Sequence, residues 1–562
     1  MNDDLTGGSA PTTPTQPAFH GSLPPRGLSG TPSSTLFQGR FGRMFRNLPA
    51  CEVEDASLVK LGQAMIQDLE EGKLDKPLGE PDEDENTAEL SQEEQTDLDG
   101  KLRLPAGYTY FGQFVDHDIT FDPVSSLTRQ NDPDGLADFR TPRFDLDSLY
   151  GRGPSDQPYM YEEDGVHLRL GLKLSQDQTS EDPTAGPDLL RSNGRALIGD
   201  PRNDENTLVS QLQVTFIRFH NAVVDKVGTD PANGKRSPDE IFKLAQQQVR
   251  WHYQWVVIHD FLRRLVGKDV IEDILHPAPY KAPAGGDVFL PDPKRRFFTW
   301  EKEPYMPVEF SVAAYRFGHS IVRPSYLINT EATTDPHVEN AARIPLFSQE
   351  GGPKQSLNGF RTVPDNWAVQ WSFLLPGIHD GVENPHLPQP GYKLDAQLSH
   401  PLGALPSSTA GPAALVAGFE ENIAQDLAVR NLLRGRRLDL PSGQDVAEAM
   451  GIPPLSDAEL FDGVEVDQTV KDDFAGRAPL WFYILKEAEK RADSAGLGPV
   501  GGRIVAEVLI GLLEGDPLSY LNVKPHWTPT LGPTEGKFTL SDLVNFAIPA
   551  PGQPAPSPYN PG

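Results

Sequence analysis

The sequence predicts a mainly α-helical fold, a single large helical domain with many long loops and little β structure. Two observations lead to this prediction. Apolar residues recur at three- and four-residue spacings in several segments, which is the pattern of helices that bury one face. The 562 residues also include 54 prolines and 51 glycines, which favour loops and turns between the helices. Length alone would suggest three or four domains, but no internal repeat is evident.

The helical domain is expected to span 39–548. Residues 1–38 are rich in Pro, Gly, Ser and Thr and hold few aliphatic side chains, so we expect an arm without a packed core. The tail at 549–562 is Pro-rich as well. Between these ends, the apolar spacing predicts helices at 56–69, 208–224, 242–266, 307–323, 415–435, 479–495 and 504–514.

Charge and cysteine content limit the possible partners and cofactors. The formal net charge of −30 disfavours nucleic acid and anionic membranes, because both would repel the chain. Cys51 is the single cysteine, which excludes an intrachain disulfide and Cys-based zinc or iron–sulfur sites. The sequence contains no run of about 18 apolar residues, so no membrane-spanning helix is predicted. The N-terminus lacks the features of a classical signal peptide, so we expect a cytoplasmic protein or export by a non-classical route.

Four polar residues stand close together in the otherwise apolar stretch 108–123. Gln113 and His117 are four residues apart, so on a helix they share one face, which Asp116 borders. Asp118 is turned about 100° further round. One short helix can therefore direct an amide and an imidazole into a cavity while it offers a carboxylate to another site. An isolated His-Asp pair is more often a core histidine beside an exposed acid; the motifs further along favour a functional site.

Oxygen-bearing side chains follow at alternate positions of the next loop. Thr141, Asp145 and Asp147 would point the same way in an extended segment, and the backbone carbonyl of Arg143 would join them. Hard cations such as Ca²⁺ prefer six to eight oxygen ligands of this kind. An acidic turn is the alternative, and Asp118 is the carboxylate that would complete a cation site.

Two later motifs combine charged residues with helical spacing. Asp200 followed by Pro201 predicts a helix start, with a capping acid and a proline in the first turn. Arg202 and Glu205 are three residues apart, so they would share a face of this first turn, where an ordinary ion pair is the alternative. Arg316 and His319 have the same spacing. Gly318 beside this histidine removes a side chain from the helix surface and permits close approach of a flat group.

With these motifs in order, the chain resembles the animal haem peroxidases, the superfamily of myeloperoxidase, lactoperoxidase and the cyclooxygenases, and looks most like a bacterial member. The resemblance runs from about Leu104 to Ala547. It is specific because several motifs recur in the same order. These motifs lie at 112–118, 199–205, 218–221, 315–319 and 498–507.

The resemblance implies a role for each residue of the predicted site. His319 would be the axial ligand of the haem iron, and Arg316 would neighbour a haem propionate. On the opposite, distal side of the haem, His117 would be the acid–base group and Arg202 its cationic partner. Gln113 would line the distal pocket.

Further implied roles concern haem attachment and calcium. Asp116 and Glu205 match the two acids that become ester-linked to haem b, and Asn206 replaces the methionine that forms a further link in myeloperoxidase. Gln444 falls where the family places the amide that orients the axial histidine. The calcium site is matched by Asp118, Thr141, Arg143 through its carbonyl, Asp145 and Asp147.

The resemblance therefore implies a peroxidase that reduces hydrogen peroxide and, through a ferryl intermediate, oxidises halides, thiocyanate or small aromatic donors. A fatty-acid dioxygenase of the same superfamily is the alternative. Those enzymes place a radical Tyr three residues before the axial His, where this chain has Arg316, with Tyr315 one position away. A non-catalytic interaction or adhesion module on the same fold and a haem-free His/Asp hydrolase are more distant alternatives.

Overall fold

The computed structural model confirms the mainly helical fold. The arm at 1–38 and the tail from 550 onward lie outside the described residues. The structure describes residues 39–67, 104–121, 130–132, 136–171, 187–281, 287–289, 292–330, 332, 343–348, 356–364, 366–379, 388–406, 423, 425–534 and 536–549.

Helices form most of the regular structure. In chain order the α-helices α1 to α15 are Asp55–Ala64, Ala106–Ile119, Asp147–Tyr150, Thr207–Thr229, Pro238–Trp255, Arg263–Val266, Lys268–Ile274, Leu427–Arg437, Gly443–Ala449, Asp457–Leu460, Gln468–Asp473, Leu480–Ala492, Pro499–Gly515, Tyr520–Val523 and Leu540–Ala547. Short 3₁₀-helices lie at Pro158–Met160, Pro201–Asp204, Pro231–Asn233, Ala314–His319, Trp371–Phe373 and His400–Gly403. None of the helices in the described ranges is long and apolar enough to cross a bilayer.

The strands of the described residues are short, with two to five residues each. In chain order β1 to β9 are Gly39–Gly42, Ala137–Asp138, Arg191–Ser192, Arg195–Ala196, Pro277–Lys281, Asp287–Phe289, Met306–Pro307, Ser325–Tyr326 and Ile344–Pro345. The largest described sheet has the order β2-β1-β7, with β1 antiparallel to β2 and parallel to β7. It joins the first described residues to the segment before His319.

The helix expected after Asp200 begins later than its sequence suggests. Asp200 accepts a hydrogen bond from the backbone N–H of Arg202 and caps the 3₁₀-helix Pro201–Asp204. The long helix α4 starts only at Thr207, where Asn206 is the N-cap and accepts from the backbone N–H of Val209. The extra turn moves Arg202 and Glu205 off the long helix and onto the cavity described below.

Two segments predicted as plain helices contain wider or tighter turns. The continuous helical segment from α5 to α6 includes a π-helix, Val256–Leu262. The segment predicted as a helix at 307–323 is a π-helix, Glu309–Ala313, followed by the 3₁₀-helix Ala314–His319. Such departures from α geometry are frequent at functional sites. In a 3₁₀-helix residues three apart are eclipsed, so Arg316 and His319 still share a face.

Aromatic side chains fix α2 against α4 and α5. Phe114 of α2 stacks on Phe216 of α4 with ring centroids 4.3 Å apart. Phe111 meets Phe261 edge to face at 5.5 Å, and Tyr253 contacts Phe114 at 6.3 Å. All five rings are fully buried. Truncating one such core ring typically lowers the free energy of unfolding by about 3–5 kcal/mol. These contacts therefore hold α2 in place, and its other face lines the cavity described below.

Candidate active site

A cavity that opens to solvent lies between α2, the turn before α4, α8 and the segment that ends in His319, and it encloses about 790 Å³ when the space at its mouth is included. The lining residues include three arginines and two acids, so the walls are polar and carry charge of both signs. The lining consists of Phe41, Asp116, His117, Thr120, Phe121, Leu136, Arg202, Glu205, Val308, Ser311, Val312, Arg316, Arg434 and Leu438.

His117 enters the cavity from α2 as a neutral imidazole. Its Nδ1 lies 2.7 Å from Oδ1 of Asn203, which in turn is held by Gln213. Burial, followed by the nearby charge of Arg202, lowers the pKa of His117 to about 4. Within the described part of the chain, no hydrogen bond occupies Nε2. The imidazole therefore presents a free proton acceptor to the cavity.

Arg202 is fixed beside His117 by contacts on several sides. Its Nη2 donates to the backbone oxygen of His117 at 2.9 Å and to that of Thr120 at 2.7 Å. Asp200 pairs with the same nitrogen at 2.7 Å, and the guanidinium lies 4.5 Å from the ring centre of Phe121. The charges of Arg140 and Arg202 hold the pKa of Asp200 well below its usual range despite burial.

Gln113 and Glu205 form a polar chain on the same wall. Nε2 of Gln113 donates to Oε2 of Glu205 at 3.0 Å, and Nδ2 of Asn206 donates to Oε1 of Gln113 at 3.1 Å. Burial raises the pKa of Glu205 to about 7. Asp116 lines the cavity nearby and accepts from Oγ1 of Thr120 at 3.1 Å.

The opposite wall carries Arg316 and leads to His319. Nε of Arg316 donates to the backbone oxygen of Ser311 at 2.9 Å. Burial, followed by the charges of Arg316 and Arg430, lowers the pKa of His319 to about 3. A Cβ placed on Gly318 would meet nothing within 4 Å. The surface beside the histidine is thus open, as the glycine predicted.

The amide that holds His319 belongs to Asn431, and the assignment of Gln444 was wrong. Nδ2 of Asn431, on α8, lies 2.8 Å from Nδ1 of His319. Gln444 lies on the next helix and accepts from the backbone N–H of Ala478 at 2.8 Å. The sequence held a usable signal, because Asn431 stands among leucines of a predicted helix and a buried amide there needs a partner.

Sequence reasoning also missed two arginines of α8. Arg434 lines the cavity. Arg430 lies among like charges, and burial followed by the charge of Arg434 lowers its pKa to about 10. Their four-residue spacing places them on one helix face, which together with Asn431 would have directed attention to this helix.

The three aspartates predicted to hold a cation converge away from the cavity. Ligand oxygens of Asp118, Asp145 and Asp147 all lie within 4.8 Å of one another. Leu146, between two of them, adopts φ 55°, a left-handed conformation that is unusual for a bulky residue. Oγ1 of Thr141 donates to Asp145 at 2.7 Å.

Electrostatics at this aspartate cluster favour a bound cation. Burial and the charges of Asp145 and Asp147 raise the pKa of Asp118 well above its usual range. Burial raises that of Asp147 to about 7, and Oδ1 of Asp147 is buried without a hydrogen-bond partner. The backbone N–H of Arg143 donates to the oxygen of Thr141 at 2.7 Å in the same loop.

The residues present fit a haem group. A neutral imidazole whose Nδ1 is held by an amide leaves Nε2 of His319 available as an iron ligand. Arg316 and Arg434 on the cavity wall suit the carboxylates of a porphyrin. The open surface at Gly318 suits a flat ring.

Comparison with known proteins agrees with this architecture. A family profile described as animal haem peroxidase matches residues 132–364. The chain is 23% identical over 378 residues to chorion peroxidase from Drosophila melanogaster, an alignment that covers 67% of this chain and 41% of that protein. It is 22% identical over 336 residues to thyroid peroxidase from Homo sapiens, covering 57% and 30%. The chain thus spans less than half the length of these relatives.

Solved structures share the fold. Peroxidase A from Dictyostelium discoideum superposes with a TM-score of 0.55 at 13% identity, covering 96% of this chain and 99% of that one. A fatty acid alpha-dioxygenase from Arabidopsis thaliana gives 0.50 at 14% identity, covering 90% and 75%. Residues 132–364 of this chain thus match the animal haem peroxidase family, relatives named as peroxidases align with a larger part of it, and the fold is shared with Peroxidase A.

Proposed function

We propose that this chain is a haem peroxidase that reduces hydrogen peroxide and oxidises small electron donors. The observation that carries the proposal is the pair of neutral imidazoles, each held at Nδ1 by an amide and without a hydrogen bond at Nε2 from any residue that the structure describes. Asn203 holds His117 and Asn431 holds His319. One histidine is suited to move a proton and the other to bind iron.

His117 is proposed as the group that transfers the peroxide proton. Its neutral imidazole takes a proton from one peroxide oxygen at Nε2 and returns it to the oxygen that leaves. Asn203 keeps the ring in the orientation that this transfer needs. Arg202 stabilises the negative charge that develops on the leaving oxygen, and Asp200 holds that guanidinium in place.

His319 is proposed as the axial ligand, oriented by Asn431. Haem, when bound, supplies the iron and the electrons that break the O–O bond. Arg316 and Arg434 would pair with its carboxylates as charge-assisted contacts. Halides, thiocyanate and small phenols are the proposed donors, because a cavity with three arginines on its walls attracts anions and admits only small molecules.

Ester links from Asp116 and Glu205 to haem b are part of the proposal. Both acids line the cavity. The raised pKa of Glu205 means that its carboxyl is partly protonated at neutral pH, and its hydrogen bond from Gln113 fixes one oxygen. A carboxyl held in this way beside a porphyrin edge is placed for attachment.

The aspartate cluster is proposed to bind Ca²⁺. Asp118, Asp145 and Asp147 would supply carboxylate oxygens, Thr141 its hydroxyl and Arg143 its carbonyl, which are ligands that this cation prefers. Asp118 follows His117 directly, so a cation here would fix the end of α2 and with it the orientation of the imidazole.

Stopped-flow spectroscopy of the haem-loaded protein tests the function. Mixing with hydrogen peroxide is expected to shift the Soret band, and His117→Ala should slow that shift by at least ~10²-fold, the scale of general acid–base catalysis. His400→Ala removes an exposed histidine and serves as the matched control. An unchanged rate in His117→Ala would overturn the role of this residue.

Oxygen uptake with linoleate separates the peroxidase from a fatty-acid dioxygenase. Tyr315, the nearest tyrosine to His319 in sequence, donates to the backbone oxygen of Gly112 at 3.3 Å and is absent from the described residues that line the cavity. We therefore expect peroxide-dependent donor oxidation and no oxygen uptake with fatty acid.

A further inference from the structure

A second group of aromatic residues surrounds one hydrogen-bonded Tyr–His pair. Nε2 of His259 lies 2.8 Å from the hydroxyl of Tyr520. The imidazole lies between two rings, with centroids 4.0 Å from Trp255 and 4.8 Å from Phe289. Trp527 contacts Tyr520 at 5.5 Å. None of these side chains belongs to the cavity described above.

The backbone around His259 is also unusual. It lies in the π-helix Val256–Leu262, which interrupts the long helical segment. Single π-turns are rare and are frequently found at functional sites. Here the wider turn coincides with the point at which the helix presents an imidazole to Tyr520.

Tyr520 and His259 together provide the two groups that one-electron oxidation of a phenol requires, a phenol and a proton acceptor. Burial raises the pKa of Tyr520 far above its usual range, so a buried phenol can be oxidised only if its proton has an acceptor. His259 provides one in the tautomer that carries its own proton on Nδ1. The imidazolium that forms would be stabilised by the ring faces of Trp255 and Phe289.

We propose that Tyr520 is a second oxidation site, at which the oxidising power of peroxide is passed to phenolic donors too large to enter the cavity. His259 acts as the proton acceptor for Tyr520. This inference rests on the proposed peroxidase function, because hydrogen peroxide acting through bound haem is the oxidant.

Buried aromatic side chains connect the two regions. Tyr253 packs on Phe114 of α2, the helix that carries His117, with centroids 6.3 Å apart. Two residues later on the same helix, about 3 Å along its axis, Trp255 begins the second group and lies 5.8 Å from Tyr520. Tyr253 and Trp255 are both oxidisable rings, so the helix α5 links the cavity wall to the Tyr–His pair.

Electrons and protons balance in the proposed step. Tyr520 loses one electron towards the haem and its phenolic proton moves to Nε2 of His259. A phenol at the surface then gives an electron, Tyr520 recovers its proton from His259, and the phenol releases its own proton to water. Over two such cycles, one hydrogen peroxide and two phenols yield two water molecules and two phenoxyl radicals.

Exposed apolar side chains on either side of Tyr520 suit an aromatic donor. Leu518 is 65% exposed and Val523 is 49% exposed, and they are two of the three large hydrophobic residues most exposed in the described chain. The backbone oxygen of Leu518 accepts from Nε1 of Trp251 at 3.0 Å, which anchors this apolar surface directly to the aromatic group.

Freeze-quench electron paramagnetic resonance of the haem-loaded protein tests the inference. Protein grown with ring-deuterated tyrosine should give, after mixing with hydrogen peroxide, a tyrosyl signal narrower than that of unlabelled protein. Tyr520→Phe is expected to lower that signal at least twofold. It should also lower the oxidation rate of a phenol coupled to dextran at least tenfold.

Two further variants keep the test interpretable. His259→Gln retains a hydrogen-bond acceptor but no base, so it should lower the tyrosyl signal as Tyr520→Phe does. Tyr159→Phe changes a tyrosine that is 47% exposed and should leave the signal unchanged. If peroxide leaves the Soret band of the unmodified protein unaltered, the proposed function fails and this inference with it. If the Soret band shifts but Tyr520→Phe retains the full signal, the inference alone is overturned.

Discussion

Nδ2 of Asn431 lies 2.8 Å from Nδ1 of His319, across a sequence separation of 112 residues. Rotating the Asn431 amide by 180° about its Cβ–Cγ bond brings its oxygen to the same point, where it accepts a hydrogen bond from Nδ1–H of His319. In that arrangement the lone pair of His319 is on Nε2, as iron ligation requires. The amide therefore sets both the direction of the ring and the nitrogen that faces the haem.

Asn431→Ala is expected to weaken haem binding by about 10- to 100-fold, because the partner of a metal-bound histidine typically contributes that much. Haem titration of the apoprotein, followed at the Soret band, measures the effect. Gln444→Ala is the matched control. It removes the acceptor for the backbone N–H of Ala478, so it should lower the melting temperature and leave haem affinity as it was. Equal loss of affinity in both variants would contradict the assignment.

This pair also shows what could be read from the sequence and what could not. Apolar spacing was sufficient to predict the helical fold, and the order of the motifs singled out His117, Arg202 and His319 as candidates. Asn431 was missed because its role depends on how α8 packs against a segment more than a hundred residues earlier. The start of α4 was predicted too early because Asp200 and Asn206 are both good N-caps. Packing, rather than local preference, decides which one begins the long helix.

The rate of reaction with peroxide is expected to depend on the neutral form of His117. Burial and the charge of Arg202 lower the pKa of this imidazole to about 4. The proton acceptor is therefore fully present at pH 7 and is lost as pH falls through about 4. The second-order rate constant should be constant from pH 7 to about pH 5. Below about pH 4 its decrease should approach tenfold for each pH unit. Stopped-flow pH jumps measure it, and a midpoint near 6.5 would show that the imidazole is not desolvated.

Each of the two cavity acids, Asp116 and Glu205, is expected to supply one ester link to haem. After a few turnovers with hydrogen peroxide, acid–acetone should extract little haem from the unmodified protein. Glu205→Gln and Asp116→Asn should each remove one ester, and the double variant should release all haem. Intact-mass spectrometry counts the attached groups. Asp204→Asn is a control, because Asp204 neighbours Glu205 but pairs with Arg191 at 2.7 Å. Haem that extracts freely from the unmodified protein would refute the ester links.

The stability of the protein should depend on calcium in a way that changes with pH. In the metal-free folded state burial raises the pKa of Asp147 to about 7, whereas an aspartate in the unfolded chain has a pKa of about 3.9. Between these values the folded state binds more protons than the unfolded state. The free energy of unfolding of the metal-free protein therefore falls as pH rises through this range. Above about pH 7 the carboxyl is ionised in both states, and the loss of stability is complete.

Bound calcium should offset this loss of stability, because its positive charge compensates the negative charges of the buried carboxylates. The melting temperature with calcium, minus that with chelator, is thus expected to be small near pH 4.5 and to grow up to about pH 7.5. At a calcium concentration of 100 times Kd the stabilisation is about 2.7 kcal/mol, which calorimetry resolves. Asp145→Asn should reduce both the calcium effect and its pH dependence, because it removes one of the three converging carboxylates. Asp156→Asn, at an exposed position, should retain both, and an equal calcium response in the two variants would exclude this cluster as the binding site.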